Sequence, residues 1–280
     1  MTLLWSGNFI VGKVAVHDFG VFGLIGLRTT ISTAILWVMF AFTAPAGEFA
    51  RLRDHWKLIA SVGVFGIAGN QLFYIAGLKD TSVTHASVFG SLSPVGVFLI
   101  SCAIRQESMN RWKVIGLIFS VVGAIALINL RPAVSGPGPT LKGDLLSLCS
   151  VSAFAIGTVL VRRIGGLYSA VTINAVSYSV GALLTLPFAV RFFFDGGLGK
   201  ATPLGWAALA YMSILSSVVA YVIFFWAIRR IGATRSSAFT YMQPVMVTLL
   251  GIALLHEHIS GAEIACAAVI LFGVVLTERG

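Results

Sequence analysis

Apolar residues run almost without interruption along the chain, broken at intervals by short groups of charged, glycine or proline residues. Runs bounded in this way predict ten helical spans near 2–16, 20–44, 56–78, 81–104, 112–130, 141–163, 168–193, 203–229, 233–255 and 259–277. The first is short: roughly sixteen residues rising 1.5 Å each cover about 24 Å of a hydrocarbon core about 30 Å thick. It is expected either to tuck against its neighbours or to be part of a longer natural helix. No basic n-region or small-residue cleavage site marks this run as a secretory leader, so it is expected to be the first membrane helix.

Composition agrees with a multi-pass membrane protein: of 280 residues 58% are hydrophobic and only 10% charged, less than half the charged share of ordinary soluble domains. A net charge of +9 would fit nucleic acid if it formed a basic stripe with interleaved aromatics. Instead Lys and Arg fall in the gaps between apolar runs, where they act as topology signals, so no nucleic-acid partner is expected. The gaps holding Arg51, Arg53, Lys57, Arg105, Arg111, Lys113, Arg162, Arg163, Arg229, Arg230, Arg235 and Arg279 outweigh those holding Lys13, Lys79, Arg131, Lys142, Arg191 and Lys200. Both termini are therefore expected on the cytoplasmic side of a cell (inner) membrane. Cys102, Cys149 and Cys266 stand singly, which argues against a disulfide framework or a metal site.

Residues 74–95 (YIAGLKDTSVTHASVFGSLSPV) and 224–245 (FFWAIRRIGATRSSAFTYMQPV) superimpose at a shift of 150 positions, which matches Thr84 with Thr234, Phe89 with Phe239, and Pro94 with Pro244. The same shift carries Glu107 onto Glu257 and Gly123 onto Gly273. Five spans per half is an odd number, so the halves must enter the membrane in opposite orientations. The fold class is thus an all-α membrane protein of two inverted five-helix repeats, 1–130 and 141–280, joined by a loop at 131–140, with a solute site expected between them.

The segments LLWSGNFIVGK and LRTTISTAIL, the Pro/Glu/Gly spacing that recurs from Pro94 and Pro244, and AIRRIGATRSSAF together resemble the drug/metabolite transporter superfamily, in its ten-helix EamA branch that includes YddG-like amino-acid exporters. The resemblance implies a carrier with a central cavity and says little about the solute. The chain departs from the usual form in its short first helix and in Asn174, which falls in the region of the seventh helix roughly equivalent to Arg28 of the second.

Candidate residues follow from polar groups that lipid would not welcome. Trp5 and Asn8 on the first helix, Gln71 and Tyr74 on the third, His85 and Phe89 on the fourth, Tyr221 on the eighth, and Phe239, Tyr241 and Gln243 on the ninth are the candidate solute contacts. The serines near His85 read more readily as bonds within the bundle. Pro94 and Pro244 each free a carbonyl and serve as kink or hinge positions. Gly63, Gly66 and Gly69 mark a close-packing face and have no phosphate-loop context. Arg28 reads first as a cation snorkelling to the interface or bonded to carbonyls, and second as a contact for a substrate carboxylate.

Every Asp and Glu falls near an expected helix end or in a loop, among them Asp144, Glu107, Glu257 and Glu263. With no carboxylate partner for His85 legible in the chain, a facilitator that needs no imposed proton gradient is expected. The leading reading is a monomeric secondary transporter of small neutral or zwitterionic metabolites, amino acids first, with the bilayer as solvent and no cofactor or metal. Carriers of sugars, nucleotide sugars or drugs, and a membrane scaffold subunit, are the alternatives. An enzyme is disfavoured, because no HExxH, GxSxG or carboxylate pair is present.

Overall fold

The computed structural model describes residues 1–45, 47–105, 109–129, 139–199, 201–255 and 259–279. Among them the chain is helical with no strand. A long first helix, Thr2–Thr43, is broken at Gly20, whose φ of 64° and ψ of 174° lie outside the helical region and suit a residue without Cβ. Its arms, 2–19 (α1) and 21–43 (α2), are two separate passes. They are followed by α3 (Arg51–Asp80), α4 (Val83–Ala103), α5 (Arg111–Asn129), α6 (Leu141–Ile164), α7 (Ala170–Phe194), α8 (Pro203–Ile231), α9 (Arg235–Leu255) and α10 (Gly261–Arg279). The count of ten agrees with the expectation. The connecting loop at 131–138, Glu107 and Glu257 lie outside the described residues.

The two repeats share backbone irregularities as well as length. Both α3 and α8 contain an eight-residue π-helical stretch, at Val62–Gly69 and Met212–Val219, separated by the same 150 positions as the sequence repeat. Both α4 and α9 lose regular α-geometry just before their proline: α4 is interrupted at Ser91 and Leu92, and α9 passes through a 3₁₀ turn at Phe239–Tyr241. A wider or broken turn leaves backbone groups without their usual intrahelical partner, and its recurrence at one shift marks inherited architecture rather than local accident.

Packing between α5 and α10 locates the pseudo-twofold. A Cβ on Gly116 would lie 2.4 Å from the Gly273 carbonyl oxygen, and one on Gly123 would lie 3.2 Å from the Cys266 carbonyl oxygen. These contacts exchange under the 150-residue shift. Ser120 and Ile270 are each other's equivalents, and the Ser120 hydroxyl donates to the Ile270 carbonyl over 3.4 Å, so the axis passes between them. Contacts that run down one helix and up the other are antiparallel, as two helices related by an axis in the membrane plane must be.

Elsewhere the repeats are clamped by small residues. A Cβ on Gly157 of α6 would stand 2.4 Å from the Gly66 Cα of α3, and one on Gly63 would meet the Ser177 carbonyl of α7 at 2.6 Å. Gly63 and Gly66 are therefore packing positions, as expected. Gly69 closes the π stretch, where the Val64 carbonyl would lie 3.1 Å from its Cβ. Helix association in lipid depends on such close approach, since lipid removes the hydrophobic drive between helices. Gly157→Ala should therefore lower stability by about 1–3 kcal/mol through overpacking, while Gly261→Ala, which faces open space, should be neutral. Thermal unfolding in detergent checks the pair.

Candidate functional site

The two arms of the first helix, together with α3, α4, α6, α8 and α9, line a central cavity whose interior and open mouth together span about 660 Å³ of space free of atoms. Three repeat-equivalent pairs line it: Gln71 with Tyr221, Gly90 with Thr240, and Ser93 with Gln243. The cavity therefore straddles the pseudo-twofold.

Six of the expected contacts meet here, Trp5, Asn8, Gln71, Tyr74, Tyr221 and Gln243, and Arg28 joins them. Trp5 is held at the π stretch of α8, where its Nε1 donates to the Ser216 carbonyl over 3.1 Å, and its ring meets Phe154, Tyr221 and Phe224 edge-on. Asn8 and Tyr74 form a reciprocal pair: Asn8 Nδ2 donates to the Tyr74 hydroxyl at 2.8 Å, and that hydroxyl donates to the Asn8 carbonyl at 3.1 Å. Tyr221 donates to Asn70 Oδ1 at 3.0 Å, and Asn70 Nδ2 donates to the Ser150 hydroxyl at 2.9 Å. Neither Asn70 nor Ser150 stands out in the sequence. A polar residue next to the π stretch on α3 was the signal available for Asn70, and none was available for Ser150.

Arg28 is the one cation on this wall. It is 1% exposed, its Nε donates to the Ser217 hydroxyl at 2.8 Å, and its Nη1 has no hydrogen-bond partner. Among the described residues no carboxylate pairs with it. Snorkelling is overturned: the side chain points into the protein interior, because Ser217 on the π stretch of α8 anchors it there. The fixed shift also sets Tyr178, rather than Asn174, opposite Arg28. Asn174 is buried and donates to its own helix at the Ala170 carbonyl. The Asn8 Oδ1 and Gln71 Oε1 atoms are likewise buried without a partner. Buried polar atoms in a native interior are nearly always bonded, so three such groups on one cavity wall are what a polar ligand or cavity water would satisfy.

Three expected contacts do not line the cavity. His85 is buried at the far end of α4, between Asp144 of α6 and Glu263 of α10. Phe89 is fully buried in an apolar cluster with Val88, Leu92 and Ile270, because its side of α4 faces the α5–α10 pair. Phe239 is 52% exposed, turned outward by the 3₁₀ turn that precedes Pro244, and only its carbonyl is engaged, by the Thr2 hydroxyl. The Tyr241 side chain lies outside the described residues. Pro94 is buried at the restart of α4, and the Gly90 carbonyl, which its ring leaves without a donor, accepts from the Ser93 hydroxyl at 2.6 Å. Pro244 is buried at the corresponding position of α9.

The sequence model of the EamA-like transporter family matches residues 1–129 and 141–279, nearly the whole chain. The chain belongs to the EamA-like transporter family. Its relatives include an uncharacterized transporter of Archaeoglobus fulgidus, 25% identical over 98% of this chain and 93% of its own length. Another is the uncharacterized transporter YetK of Bacillus subtilis, 25% identical over 97% of this chain and 82% of its own. A WAT1-related chloroplastic protein of Arabidopsis thaliana is 27% identical over 98% of this chain and 66% of its own. A crystal structure at 20% identity has a TM-score of 0.65 over 98% of this chain and 95% of that one, which supports the fold alone. Like these relatives, this EamA-like chain is a multi-pass membrane protein of the transporter class.

Cavity lining is open to direct test. With the three native cysteines replaced, Ser93→Cys and Gln243→Cys should react with a small thiosulfonate, whereas Val97→Cys, one turn along α4 and fully buried in the apolar core, should not. Equal reactivity at the three positions would place the cavity elsewhere.

Proposed function

We propose that this protein is a secondary carrier for small carboxylate-bearing metabolites, amino acids or similar zwitterions, working by alternating access of the central cavity to the two sides of the membrane. The observation that carries this reading is Arg28: a guanidinium buried on the cavity wall, bonded to one serine hydroxyl and to no carboxylate among the described residues. Burying a charge is costly unless it is paired. A solute carboxylate supplies the missing partner, and the planar guanidinium suits it. The free carbonyl oxygens of Asn8 and Gln71 are acceptors that suit an ammonium or amide group on the same solute. The aromatic faces of Trp5 and Tyr221 fit a partly apolar body. An organic cation meets the opposite, since Arg28 repels it.

The repeat supplies a route for exchange. Two similar halves around one cavity can adopt two mirror arrangements, each opening the cavity to one side. Basic residues at one end of the bundle, including Arg51, Arg53, Arg162, Arg163, Arg229 and Arg230, support cytoplasmic termini in a cell membrane. A monomer is the working unit of this reading. The transporter-named relatives favour a carrier over an enzyme.

The test is counterflow in proteoliposomes with labelled neutral amino acids, their decarboxylated amines and simple sugars. Saturable flux of the acids alone is expected. Arg28→Gln should raise the half-saturating concentration roughly 10–100-fold, the equivalent of losing about 1.5–3 kcal/mol of charge-assisted hydrogen bonding. Flux of amines or sugars that survives Arg28→Gln unchanged would refute the assignment.

A further inference from the structure

His85 is 1% exposed and stands between two carboxylates from the other repeat. Its Nδ1 lies 3.3 Å from both Asp144 oxygens, and its Nε2 lies 3.2 Å from Glu263 Oε1. Asp144 is 3% and Glu263 11% exposed. The three residues sit at the end of the bundle away from Met1, on α4, α6 and α10, so they join the first repeat to the second.

Donor counting defines what this cluster must hold. A neutral imidazole carries one N–H, and its other nitrogen is an acceptor; two ionised carboxylates offer acceptors only. With neutral His85 and two carboxylates, one of the two contacts would set a nitrogen lone pair against an anionic oxygen. Both contacts become hydrogen bonds only when the cluster holds one more proton, on the imidazole or on one of the acids. That proton leaves a net charge of −1 instead of −2 in a buried site. We infer that His85, Asp144 and Glu263 form a proton-binding site that locks the two repeats together at this end of the cavity, and that release of the proton unlocks it.

The neighbours determine which link gives way. Asp144 is also held by the Thr81 hydroxyl at 2.6 Å, and the Thr81 carbonyl accepts from Lys13 of α1. Asp80, at the end of α3, is engaged by Lys142 at 2.7 Å, outside the cluster. Glu263 accepts from the Ser260 backbone N–H at 2.7 Å through its other oxygen, has Cys266 one turn along α10, and is the more exposed of the two acids. The His85–Glu263 contact is therefore the weaker link. On the remaining sides α9 presents Val247 and Leu250, and Phe89 covers the ring edge of His85. Val247, Leu250 and Phe89 carry no charge to set against the acids.

This reverses the expectation of a carrier indifferent to protons. That expectation rested on His85 having no carboxylate partner, and two are in contact with it. The consequence for flux depends on the carrier reading: a proton bound at one end of the cavity biases which end opens, so solute movement should respond to pH on that side. The site itself can be tested without a solute.

Val83, fully buried beside the cluster at the start of α4, is the reporter. In a background without the native cysteines, reactivity of Val83→Cys toward a membrane-impermeant maleimide would be compared with that of Gly261→Cys, which faces open space and corrects for thiol chemistry. The ratio is expected to rise between about pH 5.5 and about pH 8.5, by up to roughly tenfold per pH unit, as a one-proton step requires. Glu263→Gln keeps a bond to His85 without the extra proton and should hold the ratio low at every pH. His85→Gln should also abolish the dependence. A wild-type ratio that is flat with pH, or a slope that persists in both variants, would overturn the proposal. In parallel, a labelled amino-acid mixture in proteoliposomes should enter faster under a pH step in wild type and not in Glu263→Gln. If no labelled solute moves at any pH, the carrier reading falls while the labelling still decides the proton site.

Discussion

A backbone N–H or carbonyl freed inside a bilayer has no water to bond it, so a membrane helix can depart from regular geometry only where protein or cavity water takes over. That constraint organises this chain. Four of its mid-helix irregularities adjoin residues of the cavity wall: the π stretches of α3 and α8 and the pre-proline interruptions of α4 and α9. At each place where the structure gives a partner, the freed group is engaged from another residue. The Ser216 and Ser213 carbonyls in the α8 stretch accept from Trp5 and from Ser32, and the Gly90 carbonyl accepts from Ser93. The irregularities thus stand next to the wall residues Asn70, Tyr221, Gly90, Ser93 and Thr240.

Backbone symmetry and side-chain symmetry part company at this wall. The π stretch of α3 reads VGVFGIAG and packs through glycines, whereas that of α8 reads MSILSSVV and presents serine hydroxyls. The same backbone device therefore brings α6 and α7 close in one half and anchors Arg28 in the other. Gln71 faces Tyr221, and Ser93 faces Gln243, across the axis. Unequal side chains at equivalent positions therefore make the lining of a two-fold backbone asymmetric.

How much of this was legible in the sequence depends on how far each feature reaches along the chain. Span number, the 150-residue shift and the places of the glycines and prolines are local patterns, and the structure sets them at matching points of the two halves. Polar residues on α1, α3 and α8 were legible as cavity residues, since lipid excludes them from the outer face. Phe89 and Phe239 were not, because an aromatic is equally acceptable to lipid, core and cavity, and only packing of α4 on the α5–α10 pair and the outward turn at Phe239 decide their direction. The partners of His85 were hidden for a different reason. Asp144 and Glu263 each stand near the start of a helix, where a sequence reading assigns them to the interface, yet 59 and 178 positions of chain separation vanish when α4, α6 and α10 converge.

The two charged features of the interior are placed differently and ask for different partners. Arg28 is the single cation on the cavity wall among the described residues, and its Nη1 has no hydrogen-bond partner. The His85 cluster lies at one end of the cavity without lining it, carries more acceptors than donors, and is nearly closed to solvent. Opposite signs at separate points along the same bundle also limit their mutual attraction, since neither can move to pair with the other without breaking a helix contact. Keeping the cation unpaired therefore requires the nearest buried acids to be committed elsewhere. Asp144 is committed to Thr81 and His85, and Glu263 to Ser260 and His85.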